Sequence, residues 1–326
     1  MPKRIPPYIF RHSLMLKLRS TLSEIGLFPS HEHRPRLLIA LSGGADSVAL
    51  LRAIAYFDFH IEAAHCNFSL RGQDSLHDES FVRELCATLG VKLHIETYDT
   101  LAVSRQRKCS VEVAARDLRY HFFERLWKVE KYDAIATAHH LGDNVETLFH
   151  HLSEGCGIAG LRGIPLTRGP YIRPMLEISK EEISDFLRIL EQDYCMDHTN
   201  CDQTITRNYI RHTIVPLFSS LNPSFDEAMQ RTFENLRETE ALTEYALAAL
   251  RQQVALNKEE SIFDAVKIAD SPAPLSLLFS ILSPFGFSRI QLVPFVKKLK
   301  EIEPATIESA THRVLRRSRK LFVSKR

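Results

Sequence analysis

His139, Asp143 and Glu146 stand at i, i+4 and i+7. On a helix these positions stack on one face. Two carboxylates and an imidazole placed so can hold Mg²⁺, take up a proton or bind an amine. The plain structural alternative is an N-terminal turn whose acids answer the helix dipole. A zinc site is a weaker rival, since Cys156 is the nearest cysteine and zinc favours a softer ligand. Glu112, Arg116, Arg119 and Tyr120 form a second cluster. Its arginines suit phosphate, although Glu112, Arg116 and Arg119 could equally make a surface ion-pair ladder. Arg207 and Arg211, one turn apart beside Asn208, are a third cluster, and such a pair is commonly just solvated.

A different chemistry is written in Leu37 to Ser47, where an apolar run breaks at Ser42-Gly43-Gly44 and resumes with helical spacing at Asp46-Ser47. Strand, glycine turn and helix start build a nest of backbone N–H groups suited to an anion. Gly43 and Gly44 permit close approach and positive φ, and Ser42 and Ser47 add hydroxyls. Ser42, Gly43, Gly44, Ala45, Asp46 and Ser47 are therefore the candidate phosphate loop. No lysine closes it, which excludes the Gly-x-x-x-x-Gly-Lys-Ser/Thr loop. Asp46 puts a carboxylate at the phosphate end, suggesting Mg²⁺ bridged to a nucleotide.

The elements that must position these residues alternate. Strands are expected at Leu37 onward and Ile61 to Phe68, both buried, at Leu93 to Tyr98, with alternating character, and at Ala134 to Ala138. Helices are expected after the glycine loop, over Asp74 to Leu89, over Ser110 to Val129 and from His139 onward. Such alternation means βαβ units and a doubly wound parallel sheet, with ligands beyond the strands' carboxyl ends. Ser42–Ser47, His65–Arg71 and His139–Glu146 all fall there. Gly155-Cys156-Gly157-Ile158-Ala159-Gly160 matches Gly-x-Gly-x-x-Gly but follows a helix, so it reads as a helix-to-loop connection. Ser179 and Ser288 open capping boxes.

The 326 residues suggest two domains. With 44% hydrophobic and 25% charged residues the chain is an ordinary globular protein, and no apolar run approaches a membrane span. A net charge of +2 does not by itself imply nucleic acid. Six scattered cysteines, never Cys-x-x-Cys, and no signal peptide point to free thiols and a cytoplasmic location. Phe10, Leu14, Leu18, Leu22 and Ile25 give a first helix. Past residue 218 a largely helical pattern runs from Phe225 to Val254. The end, from His312, is basic and reads as a short β-hairpin able to meet phosphates. Residues 1–218 are thus read as the catalytic domain and 219–326 as a smaller, mostly helical domain.

Taken in order, these strings resemble the bacterial tRNA(Ile)-lysidine synthetases of the N-type ATP pyrophosphatase (PP-loop) superfamily. The resemblance rests on Ser42–Ser47; His65-Cys66-Asn67 with Leu70-Arg71-Gly72; Glu112 to Arg116 with Arg119-Tyr120; and Ala138-His139-His140 with Asp143 and Glu146. Gly155 to Leu161, Ile172 to Leu176 and Asp197 to Arg211 complete it. It implies a ligase that adenylates C2 of cytidine 34 in the CAU anticodon of isoleucine tRNA and then attaches free L-lysine. ATP and Mg²⁺ are implied at Ser42–Ser47, with Asp46 on the metal. Asp143 and Glu146 would bind or deprotonate the amine, and His139, Arg116 and Arg207 would face the nucleotide.

The chain departs from that pattern at Phe68, where a histidine is usual, and at Gly142, where an aspartate is usual. Asn144 and Glu154 also differ. Rival readings are a PP-loop tRNA thiolation enzyme, an amidotransferase-type synthetase and a non-catalytic ATP- or RNA-binding module. A homodimer through the helical region is a further expectation.

Overall fold

The computed structural model describes residues 7–30, 33–196, 206–257, 261–301 and 303–326. The expected Asp197–Asn200 segment, and the chain up to residue 205, lie outside them. Two compact units divide the chain, Met1–Glu234 and Asn235–Arg326.

In the first unit the order is α1 (Ser13–Glu24), β1 (Arg36–Ala40), α2 (Ala45–Ile54), β2 (His60–Asn67), α3 (Gln73–Leu89) and β3 (Lys92–Thr97). Then follow α4 (Thr100–Arg107), α5 (Val111–Glu130), β4 (Ala134–Ala136), α6 (Leu141–Glu154), α7 (Ile158–Leu161), β5 (Thr167–Arg168), β6 (Tyr171–Ile172) and α8 (Lys180–Ile189). Next come α9 (Thr206–Tyr209), a π-helical turn (Ile210–Ile214), α10 (Val215–Leu221) and α11 (Phe225–Val254).

Leu37, Leu38 and Ile39 are wholly buried, as a central strand covered on both faces requires. The sheet order is β3-β2-β1-β4-β6-β5, parallel except for the β5–β6 hairpin. One face packs Leu37, Ile39, Val48 and Leu51 with Leu14, Leu18 and Phe186. The other packs Leu38, Ala64 and Ile135 with Phe122, Phe123 and Tyr171. β1 has β2 on one side and β4 on the other, so the order reverses between β1 and β4, the place where open α/β sheets bind ligands. The expected doubly wound architecture is present, with α4 as an additional helix.

The division between the two compact units falls within α11. The first turns of α11 belong with the first unit because Phe225, Met229 and Phe233 are buried and Gln230 donates to the Glu177 carbonyl. The second unit continues with β7 (Ala255–Asn257), β8 (Ile262–Asp264), α12 (Ala265–Ala269), α13 (Pro274–Leu282), α14 (Arg289–Lys297), β9 (Ala305–Glu308), β10 (His312–Arg317) and β11 (Lys320–Lys325). The expected C-terminal hairpin is β10–β11, but it sits inside a five-stranded antiparallel sheet, β7-β8-β11-β10-β9. Strands as short as Ile262–Asp264 carry too little alternation to be read from sequence. Arg316, within the basic end, is fully buried and bonds the Glu303 carbonyl.

At the amino ends of the parallel strands Glu62 accepts from Tyr132 (2.7 Å) and pairs with His94 (2.7 Å) and Lys92 (3.0 Å). Burial would raise its pKa, but Tyr132, His94 and Lys92 outweigh it and bring it down to about 2. A depressed carboxylate stabilises the fold fully above its unfolded pKa and loses that contribution as pH falls toward the folded value. Glu62→Gln is expected to lower stability at pH 7 by about 1–3 kcal/mol. Urea denaturation should show the gap to wild type closing as the pH falls from about 4.5 toward 2.

Candidate active site

Strand β1 delivers the chain to Ser42, and Gly43 turns it with φ +96°, a conformation glycine adopts without strain. A Cβ on Gly43 would press on Val82 (3.3 Å) and Cys195 (3.4 Å). The Ser47 hydroxyl accepts from the Ser42 N–H (3.1 Å) and the Gly43 N–H (3.2 Å), and the Ser42 hydroxyl accepts from the Gly44 N–H (3.3 Å). The two serines therefore brace the loop itself. Gly44 caps α2 with no side-chain hydrogen bond, leaving the helix's first N–H groups for an anion.

Beside this loop lies a cavity of about 480 Å³. Of the sequence-derived candidates, Ser42, Gly44, Asp46, Ser47, Arg116, His139, Asp143 and Arg207 line it. Residues 43 and 45 belong to the loop backbone, and Glu146 stands behind the wall. The small side chains of Ala40, Ala64 and Cys66 leave room over the sheet, while Arg119, Tyr120 and Phe123 of α5 stand among the other lining residues.

His139 does not share the helix face expected for it. α6 begins at Leu141 with His140 as its cap, so His139 lies in the strand-to-helix connection. The reason is a capping box: the Asp143 carboxylate accepts from the His140 backbone N–H (3.1 Å), and the His140 ring accepts from the Gly142 N–H (3.0 Å). A Cβ on Gly142 would come 2.7 Å from that ring, so an aspartate there requires His140 to move. The Thr137 hydroxyl, bonded to the Ile172 carbonyl (3.4 Å), meets Nδ1 of His139 at 3.0 Å. With the Thr137 hydroxyl donating to that carbonyl, the tautomer that satisfies this contact carries its proton on Nδ1 and has Nε2 as its acceptor nitrogen. Burial brings the His139 pKa down to about 4, helped by Arg173 and Arg207, so the imidazole is neutral at pH 7. Burial pushes Asp143 the other way, but His140, His139 and Arg207 prevail and hold its pKa below the usual carboxylate range.

Glu146 is 2% exposed and its carboxylate is fully engaged. Arg207 Nε donates to it at 2.8 Å, and Arg211 donates through Nε at 2.6 Å and Nη2 at 3.1 Å. Arg207 Nη2 also reaches Asp143 (3.4 Å). These arginines are thus not a solvated pair. Nor do Glu112, Arg116 and Arg119 form a ladder: among the described residues neither arginine pairs with a carboxylate. Arg116 lies over the Tyr120 ring (5.0 Å) and Arg119 over the Phe68 ring (5.3 Å).

Three participants escaped sequence reasoning. Lys180, first residue of α8, ion-pairs with Asp46 across 134 positions of sequence. The Tyr171 hydroxyl, in the cavity wall, is buried without a hydrogen-bond partner among the described residues, and so is Nε of Arg173, two positions further along the chain. Only the capping box before Lys180 was visible, and it says nothing of Asp46. Such orphaned polar atoms, with three arginines in the cavity wall, suit a polyanionic nucleotide. For a metal, Asp46 supplies one hard oxygen ligand, and among the described residues no three His, Cys, Asp or Glu gather to hold an ion unaided. That donor set fits Mg²⁺ held chiefly through phosphates. Cys66 is pushed up to about 12 by burial and is a thiol, not a thiolate.

Residues 16–218 match the PP-loop domain family. The chain is 40% identical over 312 residues to the tRNA(Ile)-lysidine synthase of Porphyromonas gingivalis, covering 95% of this chain and 68% of that one. It is 40% identical over 264 residues to the synthase of Bacteroides thetaiotaomicron, covering 81% and 61%. The chain belongs to the tRNA(Ile)-lysidine synthase family of PP-loop enzymes. It spans about two thirds of the length of these relatives. Among solved structures the U34-tRNA thiolase of Methanococcus maripaludis, described with its [4Fe-4S] cluster, shares the fold at TM-score 0.57 and 20% identity, over 70% of this chain and 79% of that one.

Two outcomes test this geometry. Gly163 has φ +73°, and a Cβ there would overlap the Asn144 side chain, which accepts from the Ile164 N–H (2.6 Å). Gly163→Ala should cost about 1–3 kcal/mol from backbone strain alone, read from the urea midpoint. For His139 the folded pKa lies below the unfolded one near 6.5, so its contribution is complete above pH 6.5 and fades as pH falls toward 4. Wild type should therefore lose more stability than His139→Asn between pH 7 and pH 4.5, measured by the same denaturation.

Proposed function

We propose that this chain joins free L-lysine to C2 of cytidine 34 in isoleucine tRNA bearing a CAU anticodon, through an adenylated cytidine, giving lysidine, AMP and pyrophosphate. The observation that carries this reading is convergence: the PP-loop, an ionised Asp143, a neutral His139 and the carboxylate-free Arg116 line one cavity. The chain's place in the lysidine synthase family supplies the substrate class. These substrates put the reaction in the cytoplasm.

The chemistry has two displacements. The cytidine C2 oxygen attacks the α-phosphorus of ATP and pyrophosphate leaves. The lysine amine then attacks C2, the C2–O bond breaks and AMP leaves. The loop N–H groups and the start of α2 hold the phosphates, and Arg116 and Arg207 meet the charge that builds on them. Mg²⁺, when bound, neutralises phosphate charge, and Asp46 is the carboxylate placed to reach it. Asp143 attracts the lysine ammonium, and Nε2 of His139 is an acceptor beside it for the proton the amine must lose. Glu146 enters as the carboxylate that holds Arg207 and Arg211 in place. One cavity for all partners keeps the reacting atoms together and water away from the activated base.

The thiolation alternative is disfavoured by Cys66. It lines the cavity, but burial keeps it protonated. Asp143→Asn separates the steps. With labelled lysine, ATP, Mg²⁺ and the CAU isoleucine tRNA, lysine attachment should fall roughly 100-fold or more. Pyrophosphate release dependent on tRNA should persist and circular dichroism should be unchanged. Full lysidine formation by this variant would refute the role given to Asp143.

A further inference from the structure

Two nucleotides must share this cavity if the proposed reaction is right, and its wall is not uniform. The floor is small and apolar at Ala40, Ala64 and Cys66, with the orphaned Tyr171 hydroxyl among the wall residues. Phe68 differs: it is half-buried and opens into the exposed Ser69 and Leu70. Its ring stacks on Tyr98 with centroids 6.2 Å apart and planes at 21°, and Arg119 lies over it at 5.3 Å. Phe68 and Arg119 both line the cavity.

The turn that carries Phe68 is braced by hydrogen bonds. The Thr100 hydroxyl, wholly buried, donates to the Phe68 carbonyl (2.8 Å). The Asn67 side chain accepts from the Ser69 N–H (3.0 Å) and is itself bonded to Glu79 (2.9 Å). Ser69 takes a positive φ of 52° to complete the turn. Arg119 is solvent-exposed and, among the described residues, pairs with no carboxylate. A guanidinium plane backed by an aromatic ring and free of acids is a surface on which a base stacks.

We propose that Arg119, backed by Phe68 and Tyr98, is the platform that holds the flipped-out target pyrimidine of the tRNA. Arg119 is exposed, so a base still joined to its polynucleotide can reach it from solvent, which leaves the apolar floor and the Tyr171 hydroxyl to the ATP base. This inference rests on the proposed lysidine reaction, of which it specifies the base-holding surface.

The test uses the full chain as wild type, Arg119→Gln and Phe68→Ala. Arg119→Gln changes an exposed helix position and so keeps the fold if Phe68→Ala does not. Steady-state kinetics should show KM for the CAU tRNA raised about 5- to 150-fold in Arg119→Gln, the range of one lost base stack, with KM for ATP unchanged. In a second measurement the tRNA carries pyrrolo-cytosine as its first anticodon base. Wild type should quench its fluorescence, and Arg119→Gln should abolish the quenching. A rise in KM for ATP with KM for tRNA unchanged would overturn the proposal and give the stack to adenine. Equal quenching by wild type and Arg119→Gln would also overturn it. If wild type quenches but attaches no lysine, the lysidine reaction fails while the platform stands.

Discussion

A carboxylate buried as deeply as Glu146 must be paired, and two arginines from a distant part of the chain pair it. Removing both arginines would leave the buried carboxylate uncompensated, and breaking a buried pair in that way typically costs about 3–5 kcal/mol. The clamp ties α6 to the segment that carries Arg207 and Arg211. Arg207 is thereby drawn to the cavity wall, where it also reaches Asp143. The π-helical turn at Ile210–Ile214 includes Arg211, an irregularity of the kind that often marks functional helices. Burial is the main cause of the neutral His139, to which Arg207 adds, and His140 and His139 lead Arg207 in holding the Asp143 pKa down.

The sheet supplies the second constraint. Because β2 and β4 flank β1, the loops after β1 and β4 diverge at their carboxyl ends and open a space between them. The phosphate loop occupies one edge and the His139–Asp143 turn the other. Each is braced by its own side chains: Ser47 and Ser42 hold the loop, while the His140–Asp143 capping box sets the start of α6. Both turns are thus held by bonds within the protein itself, and a turn ordered in that way leaves less ordering cost to binding.

How much of this could be read from the residues depended on range. Ser42–Ser47, the four parallel strands and the capping boxes at Ser179 and Ser288 are local patterns, and the structure has them. The helical spacing of 139, 143 and 146 misplaced His139, because spacing cannot reveal that His140 caps the helix. The pairing of Asp46 with Lys180, and of Glu146 with Arg207 and Arg211, joins residues 61 to 134 positions apart, and no local pattern encodes such partners. Tyr120, beneath Arg116, lies one turn on in the same helix and was in the cluster read from sequence, whereas the Phe68 ring beneath Arg119 comes from another element and no local pattern pointed to it. In the second unit, very short strands concealed a five-stranded sheet behind its one legible hairpin.

The most direct measurement is incorporation of labelled lysine into CAU isoleucine tRNA by the purified chain with ATP and Mg²⁺, beside a tRNA whose cytidine 34 is replaced by uridine. The account predicts label in the first tRNA, strictly dependent on ATP, and none in the second. Tight tRNA binding with neither lysine incorporation nor tRNA-dependent pyrophosphate release would contradict it and leave an RNA-binding module. Pyrophosphate release without lysine incorporation would retain the adenylation but contradict lysine as the nucleophile.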